Sequence, residues 1–205
     1  SFCLDGCGDL FKSFPGKNNK VGFAPFRKGG AFMSIAWQKA ELSFGNKKIL
    51  HQFSYTLPEK GVICFFGPSG CGKTTLLHTL NGLLKLQSGQ ILGLEQKKCA
   101  MVFQEDRLLP QLTAWQNIAL VNEQETMLYL QKVGLAEFAQ QKPTDFSGGM
   151  KRRLAIARAW AADSDLLLLD EPFTGLEESL ASHMMAQIKL EVACKKPVIL
   201  VTHDS

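Results

Sequence analysis

Residues 67–74 read Gly-Pro-Ser-Gly-Cys-Gly-Lys-Thr. Glycine lets backbone N–H groups curl around an anion. A helix that starts near Lys73 aims the positive end of its dipole at the same point. Lys73 then supplies a point charge between the β- and γ-phosphates of a nucleotide, and Thr74 offers a hydroxyl to Mg²⁺. The spacing is GxxxxGK[ST], and it falls between an apolar run ending at Phe66 and a segment of helical period, the setting that this motif needs. A glycine-rich turn that binds nothing is the bland alternative. A chance match in a chain of this length is on the order of one per cent. Pro68, Ser69, Gly70 and Cys71 complete the cradle between Gly67 and Gly72, and Thr75 follows the loop into the helix.

A second chemical signal lies about a hundred residues on. Leu166-Leu167-Leu168-Leu169 runs into Asp170-Glu171-Pro172. A buried strand that delivers Asp170 at its carboxyl end puts a carboxylate beside the Mg²⁺ site. Glu171 lies one residue farther, where it accepts a proton from an attacking water. A strand that ends in two solvated acids would be the simpler reading of those residues alone. Beside a phosphate loop, two adjacent acids with two roles make sense.

Such groups must be positioned by regular elements, and the pattern supplies them. Residues 33–44 and 48–57 read as strands around Gly45-Asn46, with Phe53, Tyr55 and Leu57 alternating on the second. Val62–Phe66 reads as a buried parallel strand. Residues 73–84 carry Leu76, Leu77, Leu80, Leu83 and Leu84 at helical spacing. Strands are expected at 90–92, 99–103, 166–169 and 198–201, and helices at 123–133 (carrying Met127, Leu130 and Val133) and 150–162. Strands alternating with helices predict a mainly parallel sheet covered on both faces. The expected class is α/β, with a mainly parallel core sheet and a small antiparallel β subdomain. No internal repeat is visible.

Between the two motifs stands Phe146-Ser147-Gly148-Gly149-Met150-Lys151-Arg152-Arg153. Here the chain resembles the ATP-binding cassette (ABC) family of P-loop NTPases, whose LSGGQ signature opens a helix upstream of the acidic strand. Ser147, Gly148 and Gly149 match; Phe146 and Met150 depart. Gln104 matches the Q-loop glutamine at a strand end, and His203 the switch histidine after the last core strand. Phe44 sits where the family keeps an aromatic that stacks on adenine. Thr174-Gly175-Leu176-Glu177 holds the D-loop position, with Glu177 in place of the usual Asp. These motifs span residues 44–203.

The resemblance implies that two cassettes close head-to-tail and trap ATP between the phosphate loop of one and the signature of the other. Glu171 would polarise the water and His203 hold it with the γ-phosphate. Lys73 would act on the phosphates, and Gln104 would link Mg²⁺ to the partner subunit. Thr74, Gln104 and Asp170 would be the metal's ligands. Closure would drive a membrane permease, so the chain would sit on the cytoplasmic face of the cell membrane. A helical subdomain of about 105–162 would receive the permease's coupling helix on its 105–145 part. The phrasing of residues 67–75, 103–110 and 113–118 is similar to importer ATPases for nitrate, sulfonate and taurine. The family normally continues past the switch histidine with a strand and helix. The domain is expected at 33–205 and C-terminally short, with reduced stability.

The chain has 205 residues, 45% apolar and 20% charged, which fits one globular domain and excludes a disordered or collagen-like chain. No apolar run approaches the roughly 18–20 residues of a membrane span, and no signal-peptide pattern opens the chain. Residues 1–32 hold six of the 18 glycines, and five basic residues against two acidic ones, which accounts for most of the net charge of +4. They are expected to form a disordered N-terminal extension. The remainder is nearly neutral, so no nucleic-acid partner is expected. The six cysteines lack CxxC spacing and read as free thiols of a reducing compartment. His51, His78 and His183 read as surface or packing residues, Trp37 and Trp160 as core, and Trp115 as helix packing or a permease contact. Lys151, Arg152 and Arg153 read as a solvated helix face, with Arg152 or Arg153 salt-bridging inside the helical subdomain.

Two other functions compete. A cassette acting on DNA or ribosomes would carry a long coiled coil or a second cassette, and neither is visible. A truncated, non-hydrolysing module would suit a short C-terminus, but Lys73, Asp170, Glu171 and His203 are all in place.

Overall fold

The computed structural model describes residues 34–202. The extension expected over 1–32, together with Met33, Cys3, Cys7 and His203, lies outside the described residues.

Two sheets carry the chain. Strands β1 (Ala36–Phe44), β2 (Lys47–Thr56) and β4 (Ser88–Leu92) form an antiparallel sheet in the order β2-β1-β4. Strands β3 (Gly61–Phe66), β5 (Cys99–Val102), β6 (Leu166–Asp170) and β7 (Pro197–Thr202) form a parallel sheet in the order β3-β7-β6-β5. The helices are α1 (Lys73–Leu80), α2 (Ala114–Ala119), α3 (Thr126–Lys132), α4 (Gly148–Ala161) and α5 (Glu178–Glu191).

The parallel sheet divides the core in two. Successive strand residues point to opposite faces. Leu167, Leu169, Val198 and Leu200 pack with Ile118, Leu130, Leu154, Met184 and Ile188 on the face of α2 to α5. Leu166, Leu168, Ile199 and Val201 pack with Phe65, Leu76, Leu77, Leu80 and Trp37 on the face of α1 and the antiparallel sheet. The unbroken apolar runs of β6 and β7 thus have a physical cause, because every residue faces a core. Burial of each such side chain contributes about 1.5–3 kcal/mol. Trp37 fastens the antiparallel sheet to α1, donating from Nε1 to Thr79 Oγ1 at 3.0 Å.

Register then sets the site. Phe66 pairs with Thr202, Asp170 with Val201, and Val102 with Leu169. All four parallel strands therefore end along one edge of the sheet. The phosphate loop, Gln104 and Glu171 emerge side by side there, the usual place for a ligand on an open α/β sheet.

Several expected boundaries shift. The first helix stops at Leu80 instead of running to residue 84, because Gly82 takes a left-handed conformation (φ 77°). Leu83 is left exposed. The helix expected at 123–133 is α3, where Leu130 is buried but Met127 is exposed. Helix α4 begins at Gly148, two residues before its expected start, because Ser147 caps it. Two helices lie outside the sequence reading. Helix α2 opens on a capping box, with Thr113 Oγ1 accepting from Gln116 N and Gln116 Oε1 accepting from Thr113 N. The Thr-x-x-Gln signature was visible for it. For α5, Leu180, Met184 and Ile188 repeat every four residues and turn toward the core.

Candidate nucleotide site

The phosphate loop folds around its own lysine. Lys73 is 6% exposed, and its Nζ donates to Gly67 O at 2.6 Å and to Pro68 O at 3.0 Å. Gly72 precedes α1 with φ 103° and no side-chain cap, so the helix's first N–H groups stay open to an anion. A Cβ on Gly72 would come 2.5 Å from Ile49 Cγ2, so β2 packs against the loop and only glycine fits. Pro68, Ser69 and Gly70 are exposed, Cys71 and Thr75 half-buried.

Phe44 ends β1 and is 52% exposed. It pairs in register with Lys47, whose Nζ donates to Gly70 O at 3.0 Å. The turn that carries the aromatic is thereby tied to the phosphate loop. Lys47 was not foreseen from the sequence, since only the fold brings it there.

The two motifs meet across the sheet. Thr74 Oγ1 donates to Asp170 Oδ1 at 3.1 Å, 96 residues apart in the chain. Asp170 is 1% exposed. Burial pushes its carboxyl above the usual range, and the charge of Glu171 adds to that push. The Thr74 hydrogen bond and the positive charges of His78 and Arg152 pull the other way. A hydroxyl and an anionic carboxylate at this separation are hard oxygen donors of the kind Mg²⁺ takes, so the residues fit that ion.

Glu171 follows with φ 46°, a left-handed conformation that costs a non-glycine residue about 1–2 kcal/mol. Its N–H donates to Val201 O at 2.9 Å. Strain of this kind persists only where the surroundings over-determine it. Gln104 is exposed, two residues beyond Val102 at the end of the edge strand. His78 packs its ring 6.1 Å from that of Phe103, and Arg107 lies over the same ring at 3.7 Å. His78 is a packing residue, as expected, and burial is the main cause of its lowered pKa.

The signature residues form the amino end of α4. Ser147 Oγ accepts from Met150 N at 3.3 Å, so Met150 serves the cap through its backbone. Ser147 and Gly148 are exposed and Gly149 is half-buried. Among the described residues, no hydrogen bond joins these three to the phosphate loop. Glu177 stands at the N-cap position of α5 without a side-chain bond to the helix backbone, and its Oε1 accepts from Ser179 Oγ at 2.8 Å.

Arg152 corrects the sequence reading. It is 5% exposed and lies on no solvated face. Its ion pair with Asp106 at 3.2 Å does fall within the expected subdomain, but its other bonds reach the acidic strand's end and the residues before Gln104. Spacing held a signal for this, because Arg152 shares the α4 stripe of Ala155, Ile156 and Ala159, all buried. Arg153 donates to the backbone carbonyl of Val133 at 2.7 Å and not to an acid.

Cys64, Cys71, Cys99 and Cys194 are free, as expected. Burial pushes the Cys99 thiol up to about 11. A cavity of about 850 Å³ opens elsewhere, lined by Lys97, Asp165, Lys196 and Pro197 at the amino ends of β5 to β7, and no predicted site residue lines it. Among the described residues, no helix is long and apolar enough to cross a membrane.

Comparison with known proteins identifies the family. The family model for ABC transporters matches residues 50–174. The chain is 40% identical over 168 residues to the aliphatic sulfonates import ATP-binding protein SsuB 2 of Frankia alni, covering 79% of this chain and 68% of that protein. It is 39% identical over 173 residues to the taurine import ATP-binding protein TauB of Rhizobium johnstonii, covering 76% and 66%. It is 36% identical over 182 residues to the spermidine/putrescine import ATP-binding protein PotA of Pasteurella multocida, covering 79% and 49%. Among solved structures, a dimeric post-hydrolysis state of the ATP-binding cassette MJ0796 bound to ADP and Pi superposes with a TM-score of 0.72 at 27% identity, covering 83% of this chain and 88% of that one. A phosphate loop bonded to an acidic strand, a capped signature helix and these relatives together show that the chain belongs to the ABC transporter family, as an ATP-binding and ATP-hydrolysing cassette.

Proposed function

We propose that this cassette is the motor subunit of an importer. It would hold ATP on residues 67–75 with Phe44 against the adenine, and work as a head-to-tail pair beneath a separate membrane permease on the cytoplasmic face. The observation that carries the reading is the 3.1 Å bond from Thr74 to Asp170, which brings the phosphate loop and the acidic strand into one site. Mg²⁺, when bound by Thr74, Asp170 and Gln104, would neutralise charge on the β- and γ-phosphates. Lys73 lies in the loop to meet the same oxygens. Glu171 takes the proton of a water that attacks the γ-phosphorus. The bond from the γ-phosphorus to the bridging oxygen breaks, and ADP and phosphate leave. His203, next after Thr202, would orient that water.

Two of the relatives named above import a sulfonate or taurine, which supports uptake of a small sulfonate-bearing solute, and the third, named for spermidine and putrescine, supports a polyamine as the second reading. Nitrate is the inorganic counterpart of the sulfonate. The charge balance outside residues 1–32 supports no nucleic-acid partner.

Turnover with Mg²⁺ and ATP, measured beside Glu171→Gln, tests the motor. Loss of a general base is expected to lower the rate about 10²- to 10⁴-fold. Glu171→Gln at the parent's rate would sink the assignment. Deletion of the gene tests the solute. Cells without it should lose uptake of labelled taurine, an alkanesulfonate or nitrate, and unchanged uptake of all three would refute this solute class.

A further inference from the structure

Arg152 spends every N–H of its guanidinium on two loops. Nε donates to Pro172 O at 2.9 Å. Nη1 donates to Phe103 O at 2.6 Å, to Gln104 O at 3.3 Å and to Asp106 Oδ1 at 3.2 Å. Nη2 donates to Asp170 O at 2.9 Å and to Glu171 O. The side chain is 5% exposed, so water does not compete for these acceptors. Five of the six acceptors are backbone carbonyls of the residues that carry Gln104, Asp170 and Glu171, or of their direct neighbours.

We infer that Arg152 is a positioning residue for hydrolysis, holding Glu171 and the Gln104 segment in one geometry. It touches no reacting atom and works through Glu171, so the inference rests on Glu171 being the general base. Glu171 sits at φ 46°, where the backbone does not stay unaided. Its N–H is held by Val201 and its carbonyl by Arg152. The first tether belongs to the core sheet. The second comes from α4, the helix whose amino end is the signature, five residues before Arg152. Only a planar fork reaches both segments at once with this many donors. Lysine keeps the charge but offers a single point of donation.

Single-turnover hydrolysis by the full chain at saturating ATP and Mg²⁺ tests this in a double-mutant cycle of Arg152→Lys and Glu171→Gln. Arg152→Lys is expected to lower the rate about tenfold to a hundredfold. Its affinity for a non-hydrolysable ATP analogue should stay within about threefold of the parent. In the Glu171→Gln background the same substitution should change the rate by less than about threefold, because the group it positions is gone. A purely structural role would lower the rate by one factor in both backgrounds, and that result overturns the inference. So does an unchanged rate, or a loss matched by weaker analogue binding. Full turnover in Glu171→Gln alone would overturn the reading of Glu171 as base, and the inference with it. If Arg152→Lys does not melt cooperatively, Asp106→Asn is the second variant. It removes the ion pair and keeps the carbonyl contacts. A loss of about threefold is expected that again disappears beside Glu171→Gln. Equal factors in both backgrounds, or no loss, overturn the proposal.

Discussion

Asp170 is buried for the sake of its neighbours and charged for the sake of its chemistry. Burial, then the negative charge of Glu171, raise its pKa in the fold. An acid whose folded pKa is raised contributes stability below its unfolded value, and that contribution is lost as pH rises through the folded value. At neutral pH the ionised carboxylate is therefore a net cost unless a cation faces it. Asp170→Asn keeps the shape and still accepts from Thr74 Oγ1. It should melt at a higher temperature than the parent at pH 7 without Mg²⁺, and the gap should close toward about pH 4, where free carboxyls protonate. The same variant should lose Mg²⁺-dependent turnover. A lower melting temperature for Asp170→Asn at pH 7 would contradict this account. Stability given up at a working site is a common exchange in enzymes.

At the scale of elements, the parallel sheet is both the scaffold and the aiming device. Leu167 is 1% exposed in β6, with Val198 and the α2 to α5 face around it. Leu167→Ala should cost about 2–5 kcal/mol in chemical denaturation, the range for a buried leucine that leaves a cavity. Leu83 is 56% exposed beyond the end of α1. Leu83→Ala should stay within about 0.5 kcal/mol of the parent. Similar losses at the two positions would contradict the shortened α1. Arg158 and Asn117 carry the loop between β5 and α2. Arg158 donates to Arg107 O at 2.8 Å, and Asn117 Nδ2 to Leu109 O at 3.1 Å. Helices α2 and α4 are thus bonded to the loop that follows Gln104.

At the scale of the whole molecule, the described residues leave the site open. Ser69, Gly70, Ser147 and Gly148 are exposed and Phe44 is 52% exposed, so a nucleotide on one copy would stay half in water. A second copy laid head-to-tail would cover it. Turnover per chain should therefore rise with protein concentration, and a constant value across a hundredfold dilution series would contradict pairing. Much of this was legible from residues alone. The phosphate loop, the acidic strand and the signature are contiguous, and their chemistry follows from residue type and local backbone, which neighbours in sequence decide. Strands β6 and β7 were legible because an unbroken apolar run is what burial on both faces demands. Tertiary structure alone decided the rest. It brought Thr74 to Asp170 through strand register. It brought Lys47, at the start of β2, to Gly70 in the phosphate loop. It also took Arg152 from an expected solvated face into the core, where carbonyls from two distant loops meet one guanidinium. Hydrogen-bond acceptors carried by the backbone are the same at every residue, so nothing in side-chain type announces where they converge.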